Sequence, residues 1–455
     1  MNIEAIILAQ KEFFFTNKTK DIRFRLNQLK KLKKIIKENE KLLFDAVFKD
    51  LKKSEFETYA SELSLVYHEI NLAIKKVKKW AKTKRVATNF ANFPAKSFII
   101  PEPLGTTLII APWNYPVQLA FSPAVAAIAA GNTVIIKPSE VTSHTSKAIA
   151  KIINTNFESH FLTVIEGGIT ETTTLLNQKF DLIFFTGSTA VGKIIYQAAA
   201  KNLTPVILEL GGKSPTFVLK DANLKMTAKR LVWAKFLNAG QTCIAPDYVL
   251  VHKSIAKQLT EAIKKEIELN YQLDQITENF NCIVNQKNYN RLTELIPQEN
   301  IFFGGKTNAA NQFISPTILT NITFEDKIMQ DEIFGPILPI ITFENLDHVI
   351  KKVKRREKPL SLYVYGKNKT QIHKILTELS FGSGAINESV MQLTNSKLPF
   401  GGVGASGFGS YHGEFGFKAF SHYKSIMSKP TWLELSTKYA PYSKGKLNLL
   451  KRILE

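Results

Sequence analysis

Two side chains in this sequence are set up for nucleophilic chemistry. Cys243 ends the run Asn-Ala-Gly-Gln-Thr-Cys, small and polar residues that follow a long amphipathic stretch. Such neighbours let backbone N–H groups approach the sulfur, so the thiol can act as a nucleophile with its own anion hole. Glu209 closes the apolar run at residues 204–208 and is followed by Leu210, Gly211 and Gly212. A carboxylate at a strand end is suited to act as general base. A cysteine can equally be an inert buried hydrophobe, but Gln241 and Thr242 are not the neighbours of an apolar core. Cys282, beside Phe280 and Ile283, fits that structural case.

Other polar residues also fall just after apolar runs. Asn114, between prolines in APWNYP, offers an amide that could donate to a developing oxyanion or satisfy a local turn. Lys137 and Glu140 in KPSE could hold ribose hydroxyls or cap a helix start. Gly187-Ser188-Thr-Ala-Val-Gly192 opens a helix, where N–H groups can meet phosphate. The run is not the G-x-G-x-x-G fingerprint and lacks a Walker ending, so turn chemistry alone would also explain it. His68, His144, His252 and His412 show no paired ligand spacing, so no metal site is expected.

The elements that must position these groups follow from periodicity. Helical spacing runs through residues 26–48 and again through 59–80. Residues 82–98 lose it and read as an extended arm, whose strand edges invite a second subunit. Strand and helix then alternate four times between residues 106 and 200, which predicts a parallel sheet with helices on both faces. Ligands of such sheets lie at the carboxyl ends of the strands, where Asn114, Lys137, Gly187 and Glu209 all fall. A second strand and helix series runs from residue 248 to 379, and another strand is expected near Ile426. The fold class is therefore α/β, with two doubly wound parallel-sheet domains, Rossmann-like and catalytic, and a small oligomerisation arm. The expected boundaries are 1–81 with 100–209 for the dinucleotide-binding domain and 210–420 for the catalytic domain. The arm takes 82–99 and 421–430, and 431–455 is a tail.

Composition excludes several classes. A chain of 455 residues, 44% hydrophobic and 22% charged, is an ordinary globular protein large enough for more than one domain. Two cysteines exclude a disulfide framework and suggest a reducing compartment, with cytoplasm the default. The formal net charge of +21 could attract nucleic acid or anionic membrane. Its lysine clusters near residues 30–37, 75–85 and 351–358 lack interleaved aromatics, so solvated helix faces and no nucleic-acid partner are expected.

Taken together, the segments resemble the aldehyde dehydrogenase superfamily, and specifically its class 3 branch. The resemblance rests on APWNYP, KPSE, FTGSTAVGK, TPVILELGGKSP, NAGQTCIAPDY, EIFGPILP, REKPLSLY and LPFGGVGASGFGSYHG, in this order between about residues 24 and 424. It implies that Cys243 is the nucleophile, Glu209 the general base, and Asn114 with the Cys243 N–H the anion hole. It also implies that Lys137 and Glu140 contact the adenosine ribose. Gly187, Ser188 and Gly192 would serve the pyrophosphate, and Glu332 the nicotinamide ribose with Phe334 packed nearby.

The implied reaction is oxidation of medium- or long-chain aliphatic or aromatic aldehydes through a cysteine thioester. NAD is the expected cofactor, with NADP as a second option, and a homodimer the expected assembly. Hydrolysis by Glu209-activated water is expected over the alternative, transfer of the acyl group to coenzyme A. Tyr115, Trp233 and Phe400 are candidates to line the substrate funnel. The sequence departs from its relatives at ESVMQL, residues 388–393, and in a basic tail with Leu447, Leu450 and Leu454 on one side. That tail could cover the substrate mouth or make weak peripheral membrane contact.

Overall fold

The computed structural model describes residues 2–271, 280–434 and 436–454. The first sheet has six strands, and its four consecutive parallel pairings join Leu162–Val164, Thr133–Lys137, Thr106–Ile110, Leu182–Thr186 and Val206–Glu209. The stretches TTLII, TVIIK and LIFFT are buried along their whole length. Continuous burial is what a strand covered by helices on both faces requires. One cover is Gln118–Ala130, whose thirteen residues are all buried. Its alanines let the neighbouring Ile22–Glu38 and Ser64–Trp80 helices approach it closely.

The second sheet has seven strands, with Pro215–Val218 in its interior between Tyr248–His252 and Ser361–Tyr365. Pro215 opens that strand, a position that needs no ladder N–H. The helices Leu224–Phe236 and Ala256–Asn270 pack against each other, and their apolar faces join the core of this sheet. The expected helix over 59–80 is observed with an irregular start. A π turn, Tyr59–Leu63, precedes the α-helix Ser64–Trp80.

Near its C-terminal end the chain crosses back from the second sheet to the first. Gly407–Phe408 pairs antiparallel with Val206–Glu209, placing Gly407 opposite Glu209. The helix Gly413–Ala419 then packs on Gln118–Ala130 and Ser64–Trp80. The chain therefore returns to the first sheet before residue 420. Lys84–Val86, Lys96–Pro103 and Ser421–Ser428 form a separate three-stranded antiparallel sheet, with Lys96–Pro103 in the middle. Among the described residues, no helix is long and apolar enough to cross a membrane.

Candidate active site

Parallel register brings the chemistry-bearing residues to one sheet edge. Ile110 lies beside Lys137 and Phe185, and Thr186 beside Glu209. The loop carrying Cys243 reaches that edge from the second domain. The Leu224–Phe236 helix is followed by Asn238, Ala239 and Gly240, all at positive φ of 54°, 51° and 74°. Amides hold this unusual path in place. The Asn238 N–H donates to Glu57 Oε1 at 2.9 Å, and Asn238 Nδ2 donates to Asn114 O at 2.8 Å. Gln241 Nε2 donates to Cys282 O at 3.0 Å, while its Oε1 accepts from the Val284 N–H. Cys243 then occupies the second position of a turn closed by the Ala245 N–H donating to Thr242 O at 2.9 Å.

Cys243 is half-buried at the wall of a cavity of about 370 Å³. Its sulfur can be reached from the cavity yet is removed from bulk water. Burial pushes the thiol up from 9.0 to about 12, and the charges of Glu332 and Glu209 push the same way. The Cys243 and Ile244 N–H groups oppose that rise. Glu209 lines the same cavity, and both its oxygens lack a hydrogen-bond partner among the described residues. Burial therefore holds its carboxyl well above the usual range. Burial thus disfavours the anion of both groups.

Tyr115, Trp233 and Phe400, the expected funnel residues, all line this cavity. Phe56, Glu57, Trp233, Leu237 and Met391 also line a second cavity of about 1460 Å³, which lies toward Phe44 and Phe48. Asn114 is buried, and its Nδ2 donates to Gln241 O at 3.0 Å, two residues before the thiol.

Behind Asn114 lies a feature that the sequence reading missed. Lys53 and Glu62 form a fully buried ion pair at 2.8 Å, and Lys53 Nζ also donates to Asn114 O at 3.2 Å. Glu62 Oε2 accepts from the Val117 and Gln118 N–H groups at the start of the all-buried helix. The available signal was Glu62 itself, an acid beside Leu63 and Val66 on an apolar helical face. Lys235 was also missed. Its amine is buried without a partner among the described residues, and burial lowers it to about 8.

The expected dinucleotide residues occupy the neighbouring edge. Lys137 Nζ pairs with Glu140 Oε2 at 2.7 Å. Partial burial works to raise Glu140, but this pair and a backbone N–H hold it below the ordinary carboxylate range. Ser188 caps the Thr189–Ala200 helix by accepting from the Val191 N–H at 3.4 Å, and the Gly187 N–H donates to Glu209 O. Gly192 is buried where a Cβ would overlap Leu210, so helix-to-strand packing also accounts for this glycine. Glu332 rests on Gly211, where a Cβ would collide with its carboxylate. Burial first, and then Asp247, raise Glu332 to about 8. Phe334 meets Trp113 edge-on, with ring centroids 5.4 Å apart.

A family model described as Aldehyde dehydrogenase family matches residues 1–426. The chain belongs to the aldehyde dehydrogenase family. It is 50% identical over 452 residues to the 4,4'-diaponeurosporen-aldehyde dehydrogenase of Staphylococcus aureus, covering 99% of this chain and 98% of that one. It is 43% identical to aldehyde dehydrogenase family 3 member A2 of Pongo abelii, covering 99% and 94%. Among solved structures, the substrate-bound state of Staphylococcus aureus AldH superposes with a TM-score of 0.97 at 49% identity over the whole of both chains. The fold and the enzyme class expected from the sequence are thus those of an aldehyde dehydrogenase, an oxidoreductase acting on aldehydes with a nicotinamide dinucleotide. In this aldehyde dehydrogenase, the Cys243 turn and Glu209 come from different sheets and share one cavity wall.

Proposed function

We propose that this aldehyde dehydrogenase oxidises medium- or long-chain aliphatic or aromatic aldehydes to carboxylic acids, using NAD in preference to NADP. The observation that carries the reading is the shared cavity of Cys243 and Glu209, with both carboxylate oxygens unpartnered. The Cys243 thiol loses its proton to water, its sulfur adds to the aldehyde carbon, and the Asn114 amide with the Cys243 N–H stabilises the resulting oxyanion. A bound dinucleotide would supply the acceptor for the aldehyde hydride. Loss of hydride leaves a thioester on Cys243. Glu209 takes a proton from water, the water oxygen attacks the acyl carbon, and the C–S bond breaks to release the acid and the Cys243 thiolate, which regains its proton from Glu209. Such a base must be free to accept a proton, which favours hydrolysis over acyl transfer to coenzyme A.

The residues present fit the dinucleotide. Thr186 Oγ1, buried at the strand end, has no hydrogen-bond partner among the described residues and lines the same cavity. Lys137 and Glu140 would hold the adenosine ribose, with Glu140 disfavouring a 2′-phosphate. Gly187, Ser188 and Gly192 would border the pyrophosphate, and Glu332 would take the nicotinamide ribose beside Phe334. The apolar lining, the larger cavity beyond it and the likeness to a 4,4'-diaponeurosporen-aldehyde dehydrogenase support an extended aldehyde. The outer strand of the arm, Ser421–Ser428, ends its sheet and supports a homodimer. The tail helix Lys444–Leu454, with Leu447 and Leu449 exposed beside Lys451 and Arg452, supports weak contact with anionic membrane. Cytoplasmic placement accords with the two free thiols.

Cys243→Ala should abolish NADH production and retain dinucleotide binding; steady turnover by this variant would end the reading. A panel of aldehydes of graded chain length, run with NAD and NADP in parallel, assigns substrate class and cofactor by kcat/KM.

A further inference from the structure

We infer that Tyr363 and Gln392 are positioning residues for the nucleophile, a step beyond the function proposed above and resting on Cys243 as the attacking group. The turn Thr242 to Ala245 is held at two points by buried phenols from the two sheets' domains. Tyr115, ahead of the Gln118–Ala130 helix, places its hydroxyl 2.6 Å from Thr242 Oγ1. Tyr363, midway along Ser361–Tyr365 and fully buried, donates to Ile244 O at 2.6 Å. Cys243 lies between these two anchors.

A phenol carries a single proton, so Tyr363 can grip Ile244 O only if its remaining neighbours donate to it. Gln392 does so: its Nε2 lies 3.1 Å from Tyr363 Oη. Because a carbonyl offers no proton, the phenol must donate to Ile244, and the amide must present nitrogen to the phenol. Gln392 Oε1, by contrast, is buried without a partner among the described residues. A leucine at 392 would avoid that desolvated acceptor, so its presence marks a need for the donor. Met391, Leu393 and Thr394, which flank Gln392, line the substrate cavity.

The grip fixes the Ile244–Ala245 peptide, whose Ala245 N–H donates to Thr242 O, the carbonyl that shares a peptide plane with the Cys243 N–H. The Cys243 and Ile244 N–H groups stabilise charge on the sulfur, and the Cys243 N–H is half of the proposed anion hole. If Ile244 O is released, the turn can rotate and both donors leave the reacting centre. A buried donor trained on a developing anion acts without reorganisation, so small rotations weaken it. Gln392 sets the phenol proton, the phenol sets the turn, and the turn aims the nucleophile's own backbone.

The test uses the full-length enzyme with saturating dinucleotide and reads the pre-steady-state burst of NADH. Tyr363→Phe keeps the ring and removes the grip. The burst rate constant should fall on the order of tenfold, with dinucleotide Kd within about twofold of the parent. Gln392→Glu is nearly isosteric and reverses the hydrogen bond according to its charge. As a neutral acid it donates to Tyr363, whereas as an anion it draws the phenol proton away from Ile244. The variant-to-parent ratio of burst rates should therefore decline as pH rises from about 6 to about 9. A merely structural role would lower thermal stability and leave that ratio flat. A Tyr363→Phe burst within about twofold of the parent overturns the inference, as does a flat ratio for Gln392→Glu. The same assay on Cys243→Ala separates the two readings. If that variant still turns over, the nucleophile assignment itself has failed. If it is inactive while Tyr363→Phe is unaffected, only the positioning role falls.

Discussion

The resting enzyme should be a poor thiol reagent, even though its proposed nucleophile is a thiol. Burial, Glu332 and Glu209 together raise Cys243 from 9.0 to about 12. A shift of about three pKa units is about 4 kcal/mol and leaves roughly a thousandfold less thiolate at any pH below both values. The assay is inactivation of dinucleotide-free enzyme by iodoacetamide, with mass spectrometry distinguishing modification at Cys243 from Cys282. The logarithm of the Cys243 alkylation rate should rise with unit slope and keep rising through about pH 10, because the reactive anion is still the minor form. Glu332→Gln removes the larger of the two opposing charges. An anion disfavours a second anion nearby, so this variant should be alkylated several-fold faster at a fixed pH above about 8, where Glu332 carries its charge. A rate profile that levels off by about pH 8.5 would show an ordinary or activated thiol and refute the argument from burial.

Three further outcomes are expected. Glu209→Gln should give a normal burst followed by steady-state turnover reduced by about two to four orders of magnitude, read by stopped-flow fluorescence. Since burial raises the parent carboxyl, its deacylation rate should increase with pH through the range where Glu209 loses its proton. His412, stacked on Phe400, is lowered from 6.5 to about 4 by burial, with His68 adding to the shift. The unfolded chain thus binds the proton first, so stability should be complete above about pH 6.5 and decline by about 3 kcal/mol toward pH 4. His412→Asn, tolerated at φ 81°, should lose that part of the slope in thermal melts. Lys53→Met strands the Glu62 charge and should cost about 3–5 kcal/mol of stability by denaturant melts, with partial recovery on adding Glu62→Gln.

How much of this was legible in the sequence depended on whether a signal was local. Thr106–Ile110 announces itself by β-branched residues between Gly105 and Pro112, and its bounds agree with the expected ones. Pro215–Val218 gave no such signal, because Lys-Ser-Pro reads as loop and only the flanking strands make it an interior strand. Gly407–Phe408 is two residues long and exists as a strand only because Val206–Glu209 is there to pair with. The site divides in the same way. Cys243, Glu209 and Asn114 lie in distinctive runs. Lys53, Tyr363 and Gln392 draw their roles from partners elsewhere in the chain, as when Tyr363 meets Ile244 across 119 residues. The motif REKPLSLY and the departure ESVMQL drew attention to two of them, without indicating that they would meet.

The crossing of residues 407–419 into the first sheet bears on how such enzymes can be cut and recombined. A fragment ending near 209 would carry the proposed base on a raw strand edge, open to self-association, and would lack Phe400, Tyr411 and His412 from the cavity wall. Grafting the nucleotide-binding half of one homologue onto the remainder of another therefore requires two exchange points, the second upstream of Gly407. A chimera joined only once would mismatch the strand that borders Glu209, and its loss of activity would report a broken seam rather than an incompatible substrate.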